Sequence, residues 1–195
     1  MSVVKSDAEL VRSLQNGNRQ ALGYLYDRHK RQVYQTALTI TGDVDVAADL
    51  LQDVFLRLYR YARTVDSTRP IEPWLYRVTT NLCYTWLKGR RRWMRPLDNI
   101  SDWLMGNEDN SASQEKMLDE EWQQLQKALS ALPVAQRVVV VLYYLNDLSV
   151  EEIANTLQTP VGTIKSRLHY GREALKKQVL AMQGEGIAGL GYEFT

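Results

Sequence analysis

Positive charges and aromatic rings alternate within one short segment, residues 80–96, whose sequence is TNLCYTWLKGRRRWMRP. Cationic side chains hold phosphates without regard to base sequence, whereas flat rings stack on unpaired bases at about 1–3 kcal/mol per base. The segment therefore has the residue types needed to bind single-stranded nucleic acid. A solvated surface is the alternative for the arginine run 90–92. The cations are Lys88, Arg90, Arg91, Arg92 and Arg95, and the rings are Tyr84, Trp86 and Trp93.

A second set of polar side chains lies in residues 148–177, LSVEEIANTLQTPVGTIKSRLHYGREALKK. Ser149 and Glu152 have the spacing of a capping box at the start of one helix, and Thr159 is predicted to cap a second helix that begins with Pro160. A short turn between them makes a helix-turn-helix, whose second helix fits the major groove of DNA. The alternative is an ordinary helical hairpin. The second helix is expected to bury Ile164, Leu168 and Leu175 and to expose Lys165, Ser166, Arg167, His169, Tyr170 and Arg172.

A third candidate surface is acidic. Asp49, Gln52 and Asp53 share one helix face at i, i+3 and i+4 spacing, opposite apolar positions. Taken alone, this pattern favours a solvated face. Asp43 and Asp45 add further carboxylates, but nothing like a calcium-loop spacing accompanies them, so no metal is expected.

The elements that position these groups are predicted to be helices throughout, giving an all-α fold. Apolar residues recur at helical spacing over most of the chain, whereas residues 96–112 are rich in Pro, Gly, Asn, Asp and Ser. We expect a helical domain over residues 1–95, a flexible linker over 96–112, a helix-turn-helix domain over 113–181 and a flexible tail over 182–195. Net charge also varies along the chain, with +7 for residues 1–95 (16 cations, 9 anions), −7 for 96–125 (1 and 8) and +1 for 126–195 (7 and 6).

Two sequence blocks resemble a known family. The sequences AADLLQDVFLRLYRY (residues 47–61) and PWLYRVTTNL (73–82) are similar to the second conserved region of bacterial sigma factors. The sequences ALPVAQRVVVVLYYLNDLSVEEIANTL (131–157) and GTIKSRLHYGREAL (162–175) resemble their fourth region. Two blocks in this order, joined by a short linker, are typical of extracytoplasmic-function sigma factors.

The resemblance implies a function and partners. It implies a transcription initiation factor that binds core RNA polymerase, at the β′ clamp helices and the β flap, and is restrained by an anti-sigma factor. Asp49, Gln52 and Asp53 would dock on the clamp helices. The loop of residues 64–69 and the helix predicted from Pro73 to about Trp93 would bind and melt the −10 element. The residues concerned would be Arg69, Arg77, Asn81, Trp86, Lys88, Arg90, Arg91 and Arg92. The helix-turn-helix would read the −35 element through Thr163, Lys165, Ser166, Arg167, His169 and Tyr170. The negative charge of the linker could mimic RNA in the RNA exit path of the polymerase. The alternative is an ordinary solvated spacer.

Four residues depart from the family pattern. Thr85 stands where many relatives have Asp, and Lys88 stands where Arg is common. Gln158 occupies a turn position that is usually Gly, so it would cost about 1–2 kcal/mol if the backbone there is left-handed. Tyr170 replaces a frequent basic residue, which makes the −35 contacts less certain.

Several classes are disfavoured by composition. A single cysteine, Cys83, cannot form an internal disulfide, and His29 and His169 are far apart in sequence, so neither metal nor cofactor is expected. The sequence GEGIAG at 184–189 matches a dinucleotide motif but follows a helix rather than a strand. No nucleophile–base set indicates an enzyme.

We expect a cytoplasmic protein, associated with the nucleoid when in holoenzyme and without membrane insertion. The rivals are a polymerase-independent helix-turn-helix regulator with a helical sensory or dimerisation domain, and a helical adaptor.

Overall fold

The computed structural model describes residues 5–93 and 113–184, with side chains described for 5–89 and 120–181. The first lobe contains α1 (Asp7–Gln15), α2 (Gln20–Thr41), α3 (Val44–Tyr61), a short 3₁₀ helix (Ala62–Thr64) and α4 (Glu72–Trp93). The second lobe contains α5 (Ser113–Ser130), α6 (Val134–Tyr144), α7 (Val150–Leu157) and α8 (Val161–Gly184). The described residues form no strand, which confirms the all-α prediction. The predicted linker 96–112 lies outside these residues, as does the tail beyond Gly184.

Local sequence signals set the ends of the first-lobe helices. Ser6 and Glu9, three residues apart, form a complete capping box at the start of α1. Helix α2 ends at Gly42, whose left-handed φ of 71° suits a residue without Cβ. The Asp43 carboxylate then accepts a hydrogen bond from the Val46 amide and caps α3. Helices α1, α3 and α4 all pack on α2, which is the central helix of the lobe.

The most apolar run of the chain forms the centre of the second lobe. Residues 138–142 of α6 are all buried, because α7 and α8 both pack against this helix. At Gly171 in α8, a Cβ atom would lie 2.7 Å from Cγ2 of Val140, so the approach of α8 to α6 requires glycine. Among the described helices, none is long and apolar enough to cross a lipid bilayer.

The two lobes pack against each other. Helix α2 contacts α5 and α6, and α4 contacts α6 and α7. Polar groups cross this interface: the Asn146 amide donates to the Thr36 hydroxyl at 3.0 Å, and the Arg137 guanidinium donates to the Ile40 carbonyl at 2.7 Å. One hydrophobic core therefore runs through both lobes.

Candidate nucleic-acid and polymerase interfaces

Helix α4 separates a buried face from a polar face. Its Leu75 and Cys83 lie in the core, and burial raises the pKa of the Cys83 thiol to about 12, so the thiol stays protonated at neutral pH. On the opposite side, Arg77 and Asn81 are exposed and lie one turn apart, as the sequence predicted. This face can present a guanidinium and an amide to a nucleobase at the same time.

The aromatic and cationic groups further along α4 are placed differently from one another. The Lys88 ammonium lies 4.7 Å from the centre of the exposed Tyr84 ring, close enough for a cation–π contact. Trp74 is half-buried against the core, and Trp86 is also half-buried. The backbone of residues 90–92 continues the helix, but their side chains lie outside the described set.

The loop before α4 is fixed by a residue that sequence analysis did not single out. The Gln15 amide at the end of α1 donates to the carbonyls of Ala62 (3.0 Å) and Val65 (2.8 Å). Within the loop, the Thr68 hydroxyl and amide both donate to Asp66, and these hydrogen bonds lower the pKa of the Asp66 carboxyl. Arg69 is largely exposed, 3.3 Å from Asp66, and remains available to a ligand. Nothing local in the sequence links residue 15 to this loop.

The acidic face of α3 is exposed. Asp49, Gln52 and Asp53 all lie at the surface, while Leu50 and Val54 are buried on the other side of the helix. Leu56, one turn beyond Asp53, is 59% exposed, and sequence analysis did not predict this. A protein partner could bury this apolar side chain and leave the carboxylates at the polar rim of the interface.

The helix-turn-helix forms as predicted. Ser149 and Glu152 make a complete capping box, and hydrogen bonds from the Ser149 hydroxyl and amide lower the pKa of the Glu152 carboxyl. In α8, Ile164, Leu168 and Leu175 are all buried. One detail was wrong: the cap of α8 is at Pro160, whose carbonyl accepts from the Thr163 and Ile164 amides, whereas the Thr159 hydroxyl donates to Leu157. The Pro160 ring fixes φ where the helix starts, which is a conformation compatible with the first turn.

The predicted −35 residues do not all share one environment. Lys165, Ser166, His169 and Tyr170 are exposed, whereas Thr163 and Arg167 are half-buried. The rings of His169 and Tyr170 contact each other edge to face at 5.3 Å. Arg172, predicted to be exposed, instead packs over the rings of Tyr143 and Tyr144 at 5.0 and 5.5 Å, because α8 crosses α6 at this point.

Gln158 lies between α7 and α8 in the left-handed conformation, with φ 50° and ψ 47°. Glycine adopts this conformation without the cost of about 1–2 kcal/mol that a side chain incurs. We therefore expect Gln158→Gly to raise the free energy of unfolding by about 1 kcal/mol, measured by chemical denaturation. Gln158→Ala keeps the Cβ but loses the 2.7 Å hydrogen bond to the Asn155 carbonyl, so it should give no gain. Destabilisation by the glycine would show that this hydrogen bond outweighs the backbone strain.

The two candidate DNA-binding faces meet at one cavity of about 190 Å³ between the lobes. Asn81 and Tyr84 of α4 line one side, and Thr159 and Arg167 line the other. The fold therefore brings together residues that the sequence assigned to two separate elements of a promoter.

Comparison with known proteins identifies the family. The Sigma-70 region 2 model matches residues 25–93, and the Sigma-70, region 4 model matches residues 122–175. The ECF RNA polymerase sigma factor SigW of Bacillus subtilis is 32% identical over 180 residues, which cover 87% of this chain and 94% of SigW. The chain belongs to the ECF RNA polymerase sigma factor family. The sigma-E factor of Escherichia coli is 31% identical over 186 residues, covering 92% of this chain and 97% of that protein.

Solved structures share the fold of this ECF sigma factor across both lobes. CnrH in complex with the cytosolic domain of CnrY has a TM-score of 0.69 and 22% identity, covering 91% of this chain and 99% of CnrH. RpoE from Bartonella quintana, in complex with the anti-sigma factor NepR, has a TM-score of 0.62 and 24% identity. The match covers 79% of this chain and 93% of RpoE. Family membership confirms the resemblance noted in the sequence. The chain is an alternative sigma factor that directs promoter-specific initiation by RNA polymerase, and not a polymerase-independent regulator.

Proposed function

We propose that this sigma factor binds core RNA polymerase through the exposed acidic face of α3, with Asp49, Gln52 and Asp53 on the β′ clamp helices. The exposure of all three side chains on one face of α3 carries this proposal, and the apolar Leu56 beside them supports it. The second lobe would contact the β flap. The polymerase catalyses RNA synthesis, and the sigma factor itself has no enzymatic role.

Promoter recognition is divided between α4 and α8 in this proposal. Arg69, Arg77 and Asn81 hold the melted −10 strand, with Trp86, Lys88 and the arginines at 90–92 extending the surface. The exposed side chains of α8 read the −35 element in the major groove. They are Lys165, Ser166, His169 and Tyr170, together with the half-buried Thr163 and Arg167.

An anti-sigma factor completes the set of proposed partners. The structurally similar RpoE is held by the anti-sigma factor NepR, and the similar fold of this chain supports the same type of control. The cytoplasm, where RNA polymerase acts, is the expected location, with nucleoid association in the holoenzyme.

Charge reversal on α3 tests polymerase binding. We expect Asp49→Lys combined with Asp53→Lys to weaken binding to core polymerase at least about tenfold, because like charges replace complementary ones at the interface. Titration of core polymerase with fluorescently labelled sigma factor measures the affinity, and promoter-specific transcription in vitro should fall with it.

A single charge reversal at an exposed site elsewhere in the first lobe is the control. Asp27→Lys removes only an exposed i,i+3 ion pair with Lys30, so its core affinity should remain within about twofold of the unmodified protein. Full core binding by the α3 double variant would place the polymerase contact on another face. A complete lack of promoter-specific transcripts with unmodified protein and core would contradict the proposed function itself.

A further inference from the structure

Three potential metal ligands meet at a point apart from the surfaces described above. One ring nitrogen of His29 and one carboxylate oxygen each from Asp7 and Glu72 lie within 4.8 Å of one another. The three residues belong to α2, α1 and α4, so they are distant in sequence. In the sequence, His29 is far from the other two ligands, and only the packing of the three helices brings them together.

The side chains at this point are held in place. The Arg28 guanidinium donates to Oδ1 of Asp7 and to the Lys5 carbonyl, which leaves Oδ2 of Asp7 facing Nε2 of His29 at 2.9 Å. A partner that holds the second oxygen of a ligating carboxylate is a regular feature of metal sites. The His29 side chain is only 6% exposed, and that of Asp7 is 19% exposed. Solvent ions can therefore reach the cluster from the Asp7 side.

Glu72 provides a second, independent indication of a ligand. Its Oε2 atom is sealed from solvent and has no hydrogen-bond partner among the described residues. A buried carboxylate oxygen without a donor costs free energy, and a cation between Glu72, Asp7 and His29 would remove that cost.

The ligand types indicate which cation fits. One imidazole nitrogen with two carboxylate oxygens suits zinc and similar transition metals, whereas magnesium and calcium prefer oxygen ligands alone. Tetrahedral ligands about 2.0–2.1 Å from zinc are roughly 3.3 Å apart. The His29–Asp7 separation of 2.9 Å is already close to this distance, and a rotation of the Glu72 side chain can bring in the third ligand.

We propose that Asp7, His29 and Glu72 form a binding site for a divalent transition-metal ion of the zinc class, which ties α1 to α2 and α4. One turn beyond Glu72, Tyr76 contacts Gln32 within the first lobe and Asn146 of the second. The site therefore lies beside the packing between the lobes. It goes beyond the proposed function, because neither polymerase nor DNA is needed to fill it.

Thermal unfolding of the full chain without an affinity tag, titrated with Zn²⁺, tests the proposal. We expect one ion per chain and a rise of about 4–8 °C in the melting midpoint when free Zn²⁺ is about thirty times the dissociation constant. His29→Gln and Glu72→Gln should each lower the affinity for Zn²⁺ at least about tenfold. His169→Gln changes the other histidine, outside the cluster, and should leave the rise intact. Co²⁺ in place of Zn²⁺ should give a visible absorption band that requires His29.

If His29→Gln fails to fold, Glu72→Gln still tests the metal site, because the amide retains the shape of the side chain. A melting midpoint that Zn²⁺ does not change would overturn the proposal, and the contact between His29 and Asp7 would then be a hydrogen bond within the fold only. An equal rise in the Glu72→Gln variant would also overturn it, because the ion would then be bound elsewhere.

Discussion

Removing the Arg77 guanidinium and the Asn81 amide together should lower the yield of open promoter complexes about 100-fold. Both side chains are exposed one turn apart on α4, and neither has a hydrogen bond or ion pair within the described part of the chain. Each good contact to a base contributes about 1–3 kcal/mol, so losing two costs roughly 3 kcal/mol, which corresponds to about two orders of magnitude. Permanganate footprinting of the −10 element with Arg77→Ala, Asn81→Ala holoenzyme measures the effect.

A neighbouring residue supplies the control for this experiment. Thr85 is exposed one turn further along α4, and its hydroxyl donates to the Asn81 carbonyl of the same helix. Thr85→Ala should therefore open the promoter within about twofold of the unmodified factor, because that hydroxyl is already engaged with the backbone. Core binding should be unchanged in all variants. If the double variant opened promoters normally, the −10 contact would have to lie on another surface.

A template with a pre-melted −10 region separates two roles of α4. If Arg77 and Asn81 hold the extruded strand, the double variant stays defective on this template, because the contact with the unpaired base is still missing. If they act only while the duplex opens, the pre-melted template restores activity. We expect the defect to persist, since the exposed face of α4 suits a bound strand.

Sequence alone could predict the features that depend on neighbouring residues. The capping boxes at Ser6 and Ser149, the end of α2 at Gly42 and the buried stripe of α8 all follow from spacings of two to four residues or from a single special residue. The glycine that relatives carry at position 158 marked a turn whose backbone could be left-handed, and the structure shows that it is. Local chemistry is enough here because the interacting groups lie within one turn of each other.

Contacts between distant segments could not be predicted in the same way. Gln15 is 47 to 50 residues from the carbonyls it binds, and Thr36 is 110 residues from Asn146. In the first case the acceptor is a main-chain carbonyl, which every residue has, so no residue type marks the partner. The cluster of Asp7, His29 and Glu72 is likewise formed only by the packing of three helices. The exposure of Arg77, Asn81 and the acidic face of α3 needed no such information, because a helix face is defined by period alone. The half-buried position of Arg172 did need it, because it results from the packing of α8 on α6.

Arg137 is the interdomain contact whose loss should cost the most stability. Its side chain is buried at 7% exposure, and its guanidinium donates to the carbonyls of Ile40 (2.7 Å), Ser130 (2.8 Å) and Leu132 (3.3 Å). Ile40 is among the last residues of α2, whose final carbonyls have no partner within the helix and carry the negative end of its dipole. Arg137 thus satisfies the end of a first-lobe helix from within the second lobe.

We expect Arg137→Met to lower the free energy of unfolding by about 3 kcal/mol, because three carbonyls, two of them in buried hydrogen bonds, lose a charged donor while the apolar stem is kept. Arg137→Lys should lose about half as much, since an ammonium keeps the charge but cannot reach three carbonyls with a planar fork. Chemical denaturation measures both. Lys127→Met, at an exposed site on α5, removes the same charge and should change stability by less than about 0.5 kcal/mol. Equal stability of the Arg137→Met variant and the unmodified protein would mean that water replaces the guanidinium, and that the apolar contacts and the Asn146–Thr36 hydrogen bond hold the two lobes together.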